Sequence, residues 1–247
     1  MKVVFLGTNG WYDSPTGNTI SILLETDGAY ILLDAGNGLY KADHYIGKEK
    51  PVFLFLSHLH LDHIIGLHIL NKFNFSQGLN IVVQQGMKDA LLHLFNYPYS
   101  LPFSNLAYPV EVIEIKDFYK TPTFSVETAE MHHAAPTIGF RFSIDGKIIT
   151  YCPDTGYCDN AVKLAKDALL LIAECAFRPG EESEYWPHLN PETAARLAHN
   201  ASAKHLALVH FDAYRYPDFE SRQQAEIIAQ AVFHDTVATR DNQVIEL

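Results

Sequence analysis

His58-Leu59-His60-Leu61-Asp62-His63 packs three imidazoles and one carboxylate into six positions. The apolar run Pro51 to Leu56 leads straight into it. Four such side chains at the end of a strand do not serve packing, because each would carry a desolvation cost if buried without a partner. A divalent metal is a partner that satisfies them together. Imidazole suits Zn and similar ions, and the carboxylate widens the choice to Mn or Fe.

The rest of the chain is consistent with a scaffold for that motif. Its 247 residues, 48% of them hydrophobic, suffice for one large α/β domain with a full core, expected over 1–247. Eighteen Lys and Arg against 29 Asp and Glu leave a net charge of −11. That balance argues against broad, non-specific nucleic-acid binding, which depends on neutralising phosphates, although a local basic groove stays compatible with it. Three cysteines, Cys152, Cys158 and Cys175, form no CxxC pair and suggest a reducing compartment without a disulfide framework. The N-terminus lacks a long apolar signal region, and no apolar run reaches the ~18 residues that a membrane span requires. The expectation is a cytoplasmic protein with no membrane partner.

Short β-type runs dominate the first half. Strands are expected at Val3–Leu6, Ile20–Glu25 and Tyr30–Leu33, the last two joined by an Asp27-Gly28 turn. Val52–Leu56 reads as a strand buried on both faces. Further strands are expected at Ile81–Val83, Val110–Ile115, Phe124–Thr128, Ile138–Ile144 and Ile148–Tyr151, with Asp145-Gly146 turning the last pair. The second half alternates. Helices are expected at Ala161–Ala168, from the Asn190-Pro191 cap to about Asn200, and over Ser221–Phe233. Strands fall at Leu169–Ala173 and His205–Val209, and Thr236–Thr239 with Gln243–Glu246 reads as a closing hairpin across Asp241-Asn242. This mixture suggests two sheets covered by helices.

Other metal-binding side chains also fall where strands end: His132-His133, Asp154 and His210. With His58, His60, Asp62 and His63, and one of His132 or His133, they supply enough ligands for two metals if one carboxylate bridges.

At these residues the chain resembles a metallo-β-lactamase-fold hydrolase, most like the ribonuclease Z branch. The HxHxDH signature is complete. His133-Ala134-Ala135-Pro136-Thr137-Ile138-Gly139-Phe140 is similar to the branch's H-x-x-P-x-x-G-Y motif and selects His133 over His132. Asp154-Thr155, Val209-His210-Phe211, Leu6-Gly7-Thr8 and Leu33-Asp34-Ala35-Gly36 match further motifs, so the similarity spans nearly the whole chain. The resemblance implies a four-layer αββα sandwich. It implies that His58, His60 and His133 hold one metal, that Asp62, His63 and His210 hold the other, and that Asp154 bridges. It also implies that Asp34 supports a ligand histidine. Glu174 and His188 match positions at which, in this branch, a Glu orients a His and the His assists at the scissile phosphate. Phosphodiester hydrolysis follows as the expected activity: two divalent metals, Zn first with Mn or Fe as alternatives, would activate a bridging hydroxide, with Asp62 orienting it.

The resemblance has departures. Only 21 positions separate His133 from Asp154, which leaves no room for the arm with which ribonuclease Z grips tRNA. tRNA is therefore a doubtful substrate, and a small phosphodiester or an RNA end is expected instead. The segment after His210 is one residue longer than the family pattern, which leaves Arg215 either a phosphate clamp or a surface charge. Phe95 to Phe103 is aromatic and proline-broken and reads as a lid, a substrate wall or a dimer contact. Relatives often dimerise, so a homodimer is a further expectation. The competing activities are hydrolysis of carboxylic esters, of the thioesterase, lactonase or β-lactamase type, and a non-catalytic scaffold, against which the intact ligand set argues.

Overall fold

The computed structural model describes all 247 residues. In chain order the strands are β1 (Lys2–Gly7), β2 (Asn9–Gly10), β3 (Ser21–Glu25), β4 (Tyr30–Leu33), β5 (Val52–Phe55), β6 (Leu79–Gln84), β7 (Val110–Ile115), β8 (Phe118–Lys120), β9 (Phe124–Glu130), β10 (Ile138–Ile144), β11 (Lys147–Cys152), β12 (Leu170–Glu174), β13 (His205–Val209), β14 (Phe211–Asp212), β15 (Thr236–Ala238) and β16 (Val244–Glu246). The α-helices are α1 (Leu61–Ile64), α2 (Lys88–Leu94), α3 (Asp159–Leu164), α4 (Pro191–Asn200) and α5 (Phe219–Gln230). The chain forms two compact units. The first comprises Met1–Gly7, Asn18–Lys116 and Asp241–Leu247, and the second comprises Thr8–Gly17 and Asp117–Arg240.

The first unit is built on a seven-stranded sheet of order β16-β1-β3-β4-β5-β6-β7. Strands β4 to β7 run parallel. Their apolar runs follow from burial: every residue of β4 and β5 is buried, as a parallel strand covered on both faces requires. One face packs Leu32, Leu54 and Ile81 against Leu67, Leu70 and Phe73 of the segment after α1. Because β4 and β5 are parallel neighbours, the segments that leave their C-terminal ends emerge side by side. One carries Asp34 and the other carries Ser57 to His63.

The second unit is built on a seven-stranded sheet of order β15-β13-β12-β11-β10-β9-β8. Strands β11, β12, β13 and β15 are parallel, and β9 points the same way because β10 is antiparallel to both β9 and β11. Four strand ends therefore open on one edge of this sheet. They deliver His132-His133, Asp154, Glu174 and His210. The β10–β11 turn has φ 52° at Asp145 and 74° at Gly146, the left-handed pair that a two-residue type I′ hairpin needs. The interval between His133 and Asp154 is thus two paired strands and a tight turn.

Local signals set the helix starts. Asn190 accepts from Thr193 N at 2.8 Å, and Asn190 N donates to Thr193 Oγ1 at 2.9 Å, so a capping box with Pro191 at the first position begins α4. The cap of α5 is Asp218, which accepts from Ser221 N at 2.8 Å, so this helix starts ahead of the expected Ser221. No helix is long and apolar enough to cross a membrane.

One expectation needs correction. The C-terminal hairpin does not form. Strand β15 adds in parallel to β13 in the second unit, and β16 pairs antiparallel with β1 in the first. Asp241 takes Lys41 Nζ at 2.6 Å and Asn18 N at 2.9 Å, which ties the supposed turn into the first unit. The aromatic segment 95–103 divides by burial. Phe95 and Phe103 are buried and stacked with centroids 5.7 Å apart, whereas Tyr97 and Tyr99 are exposed.

Arg222 of α5 is the largest fully buried side chain. It donates to Thr8 Oγ1 at 2.9 Å, Thr16 Oγ1 at 3.0 Å and Asn9 Oδ1, and lies 4.6 Å over the Phe211 ring. It therefore fixes the 8–17 loop against the strand that follows His210. Arg222→Met removes these buried charge-assisted hydrogen bonds together and is expected to cost about 2–4 kcal/mol, read as a lower urea midpoint at unchanged slope.

Candidate metal centre

In the first unit one carboxylate organises the histidine motif. Asp34 is fully buried, with φ 55°, at the end of β4. Its Oδ1 accepts from Ser57 N at 2.8 Å and its Oδ2 accepts from Ser57 Oγ at 2.8 Å. The same Oδ2 lies 2.8 Å from His63 Nδ1, which donates to it. Having given its proton to Asp34, the Ser57 hydroxyl is the acceptor for His58 Nδ1 at 3.0 Å. Asp34 thus sets the tautomer of two rings, His63 directly and His58 through Ser57, and leaves Nε2 as the lone-pair nitrogen of each. His60 is the N-cap of α1, which places Asp62 and His63 on its first turn. The His58 ring lies 4.5 Å from His60 and 4.1 Å from His63, and His63 Nε2 is 3.8 Å from Asp62 Oδ2. Gly36 makes the geometry possible, since a Cβ there would lie 2.3 Å from the Asp62 carbonyl. The four side chains of the motif therefore come together.

In the second unit the strand ends bring His133, Asp154 and His210 together, and the loop before α4 adds His188. Asp154 Oδ1 is 3.2 Å from His210 Nε2, and its Oδ2 is 3.9 Å from His133 Nε2. One carboxylate thus has an imidazole at each oxygen, the disposition that a bridging ligand needs. His210 has φ 54° at the end of β13, and its ring fills the space that a Cβ on Gly10 would take, 2.5 Å away. Ligand-capable atoms of Asp154, His188 and His210 lie within 4.8 Å of one another. His188 Nδ1 donates to Glu174 Oε1 at 2.6 Å. Glu174 is fully buried and also accepts from Thr155 N at 2.7 Å and Ala176 N at 3.0 Å.

Two histidines on this edge are charged differently. Burial holds the His133 ring below its ordinary pKa, more than Asp154 raises it. Its Nδ1 donates to the Pro187 carbonyl at 3.3 Å, so neutral His133 turns a lone pair on Nε2 toward a carboxylate oxygen. Two acceptors face each other there, and a cation between them satisfies both. This donor set of neutral imidazoles and carboxylates fits a divalent metal. At His188 burial also works against the charged ring. There the Glu174 charge and hydrogen bond, with Asp154 and Asp212, outweigh it and raise the pKa to about 9. The metal-free protein therefore holds His188 protonated at neutral pH, with Nε2 as its second N–H.

Arg215 is not a simple surface charge. It pairs with Glu181 at 2.8 Å and Asp212 at 2.6 Å and lies 4.9 Å over the Phe177 ring. Glu174 pairs with His188, while Arg178 donates to the Arg215 carbonyl. His132 is exposed, with its backbone N–H on Thr155 Oγ1. Ser57, Gly10 and the Pro187 carbonyl were not singled out from the sequence. A hydroxyl, a missing Cβ and a backbone oxygen carry no pattern of their own. Trp186, half exposed and 5.5 Å from His133, was missed for the same reason. Burial pushes the Cys152 and Cys175 thiols up, which removes them as nucleophiles at neutral pH.

Comparison with known proteins agrees with this geometry. The family model of the β-lactamase superfamily domain matches residues 29–211. Ribonuclease Z of Limosilactobacillus fermentum is 27% identical over 311 aligned residues, covering 100% of this chain and 98% of that protein. The metallo-β-lactamase fold protein YhfI from Bacillus subtilis superposes with a TM-score of 0.82 at 23% identity, covering 99% of this chain and 98% of that one. The short form of human tRNase Z superposes with a TM-score of 0.77 at 22% identity, covering 100% and 99% of the two chains. The expected α/β fold, the αββα metallo-β-lactamase sandwich, is thereby borne out.

The His188–Glu174 pair gives the metal-free protein a distinct pH response. Folding raises the His188 pKa from 6.5 to about 9, so the folded state holds a proton that the unfolded state releases. The stabilisation is complete below the unfolded value and is lost as pH rises through about 9. Urea denaturation of metal-free wild type and Glu174→Gln across this range should show a stability gap that narrows as pH rises. A gap that does not change would mean that the folded pair is not ionised.

Proposed function

Since this chain belongs to the β-lactamase superfamily domain family, we propose that it is a dinuclear metal-dependent phosphodiesterase acting on a small phosphodiester or an RNA end. The observation that carries this reading is the Glu174–His188 pair, 2.6 Å apart, with His188 beside Asp154 and His210. A thioesterase releases a thiolate, which leaves without that proton carrier. An alkoxide leaving a phosphodiester gains from one. The relative named ribonuclease Z supports a phosphodiester as the bond cut.

In this reading His58, His60 and His133 hold one metal, Asp62, His63 and His210 hold the other, and Asp154 bridges. Zn suits the set best, with Mn or Fe as alternatives. Bound there, two divalent cations supply Lewis acidity, acidify water toward neutral pH and neutralise charge on the phosphoryl oxygens. The protein's own residues do the rest. Asp62 orients the attacking water. His188 delivers the Nε2 proton to the departing oxygen. Glu174 holds the ring at Nδ1 and keeps it charged. Ser57 and Asp34 keep the rings of His58 and His63 in the ligand tautomer.

We further infer a single functional domain over 1–247. We place it in a reducing, cytoplasmic setting, to which three free cysteines are suited, and expect a homodimer. The tight β10–β11 turn, where ribonuclease Z carries its arm, supports a substrate other than tRNA.

Hydrolysis of bis(p-nitrophenyl) phosphate by Zn- or Mn-loaded protein tests the proposal. His188→Ala should lower turnover by roughly 10²–10⁴, and Asp62→Ala should abolish it with the fold intact. Two bound metals without turnover would reject the reading and favour thioester or lactone substrates.

A further inference from the structure

Between β12 and α4 the chain is exposed over most of Arg178 to Trp186, with Tyr185 91% exposed. A loop with so little buried surface takes its position from its polar tethers. Those tethers converge on Glu181. Its N–H donates to the Arg178 carbonyl at 3.0 Å and closes a Pro179-Gly180 turn, with φ 74° at Gly180. Its carbonyl accepts from Asn190 Nδ2 at 3.0 Å. Its Oε2 accepts from Arg178 N at 3.0 Å and from Arg215 Nε at 2.8 Å.

Arg215 is anchored on the segment that follows His210. Asp212 Oδ1 accepts from Tyr214 N at 2.8 Å and from Arg215 N at 3.1 Å, and Asp212 Oδ2 accepts from Arg215 Nη1 at 2.6 Å. One guanidinium thus joins the turn after His210 to the loop before His188. It also lies 4.9 Å over the Phe177 ring, and that buried ring meets His188 edge to face at 5.3 Å. An isolated exposed ion pair holds little, but an arginine shared by two carboxylates and an aromatic ring is a network whose members fix one another. The two joined segments carry side chains that act at one place. Ligand-capable atoms of His188, His210 and Asp154 lie within 4.8 Å of one another, and the His188 and His210 rings stack at 6.1 Å.

We propose that Arg215 is a positioning residue: through Glu181 and Phe177 it latches the 178–188 loop to the turn after His210 and so sets His188 beside Asp154 and His210. It acts through these contacts and not on the substrate. The consequence for turnover rests on the phosphodiesterase reading.

Trp186, on the latched loop, reports its position. The chain has two tryptophans, so Trp11→Phe leaves Trp186 as the single emitter. In that background Arg215→Met, Glu181→Gln and the double variant are compared by acrylamide quenching of the metal-free protein and by kinetics of the Zn-loaded protein with bis(p-nitrophenyl) phosphate. Each single variant should raise quenching. Each should lower kcat about tenfold, the cost of a slight misplacement of a reacting group, with KM unchanged. The double variant should lose no more than Arg215→Met, because both changes break one contact. Arg215→Lys keeps the charge without the planar fork and should recover part of the kcat.

A substrate-binding role for Arg215 would instead raise KM in Arg215→Met and leave Glu181→Gln unimpaired, which would overturn the proposal. Losses that multiply in the double variant would do the same. So would a lower urea midpoint with quenching and kcat unchanged, which would make the network merely structural. No diester turnover by the wild type would reject the phosphodiesterase reading, while raised quenching in both single variants would still establish the latch.

Discussion

Two fully buried carboxylates, Asp34 and Glu174, hold the chemistry of this protein in place. A buried carboxylate is costly unless its oxygens are hydrogen-bonded, and both are. Asp34 accepts from Ser57 twice and from His63 once. Glu174 accepts from Thr155, Ala176 and His188. The backbone donors fix each carboxylate, and the carboxylate then fixes an imidazole. Moving either side chain would leave a buried carboxylate without its donors, which keeps the rings they contact in place.

The same device yields different chemistry at its two positions. Asp34 fixes His63 and, through Ser57, His58, with Nδ1 as the donor in both. Their Nε2 lone pairs suit a metal. Glu174 meets a ring set among further carboxylates, Asp154 and Asp212, and their summed charge keeps His188 protonated. His133, on the same sheet edge, loses that balance to burial and stays neutral. A neutral and a cationic histidine thus stand on one sheet edge, their pKa values pushed apart by their surroundings.

Much of this was legible in the chain. Val110–Ile115, Ile138–Ile144 and His205–Val209 are strands over the residues expected, because continuous or alternating burial leaves a period that sequence preserves. The histidine motif and its partners at Asp154 and His210 were equally visible, since chemistry-bearing residues at strand ends have few other uses. What failed was pairing at a distance. Asp241-Asn242 has the local look of a hairpin turn, yet β15 and β16 join different sheets, and Lys41 and Asn18 bind Asp241 from more than 190 positions away. Arg215 failed similarly, because nothing near it in sequence shows that Glu181 is its partner. Ser57, Gly10 and Pro187 act through a hydroxyl, an absent Cβ and a carbonyl, groups that acquire meaning only once a neighbour is in place.

We propose that this chain assembles one two-metal centre. Counting the tightly bound divalent metal in protein saturated with Zn and freed of excess should give two ions per chain in the wild type. A stoichiometry of one, or none, would contradict it.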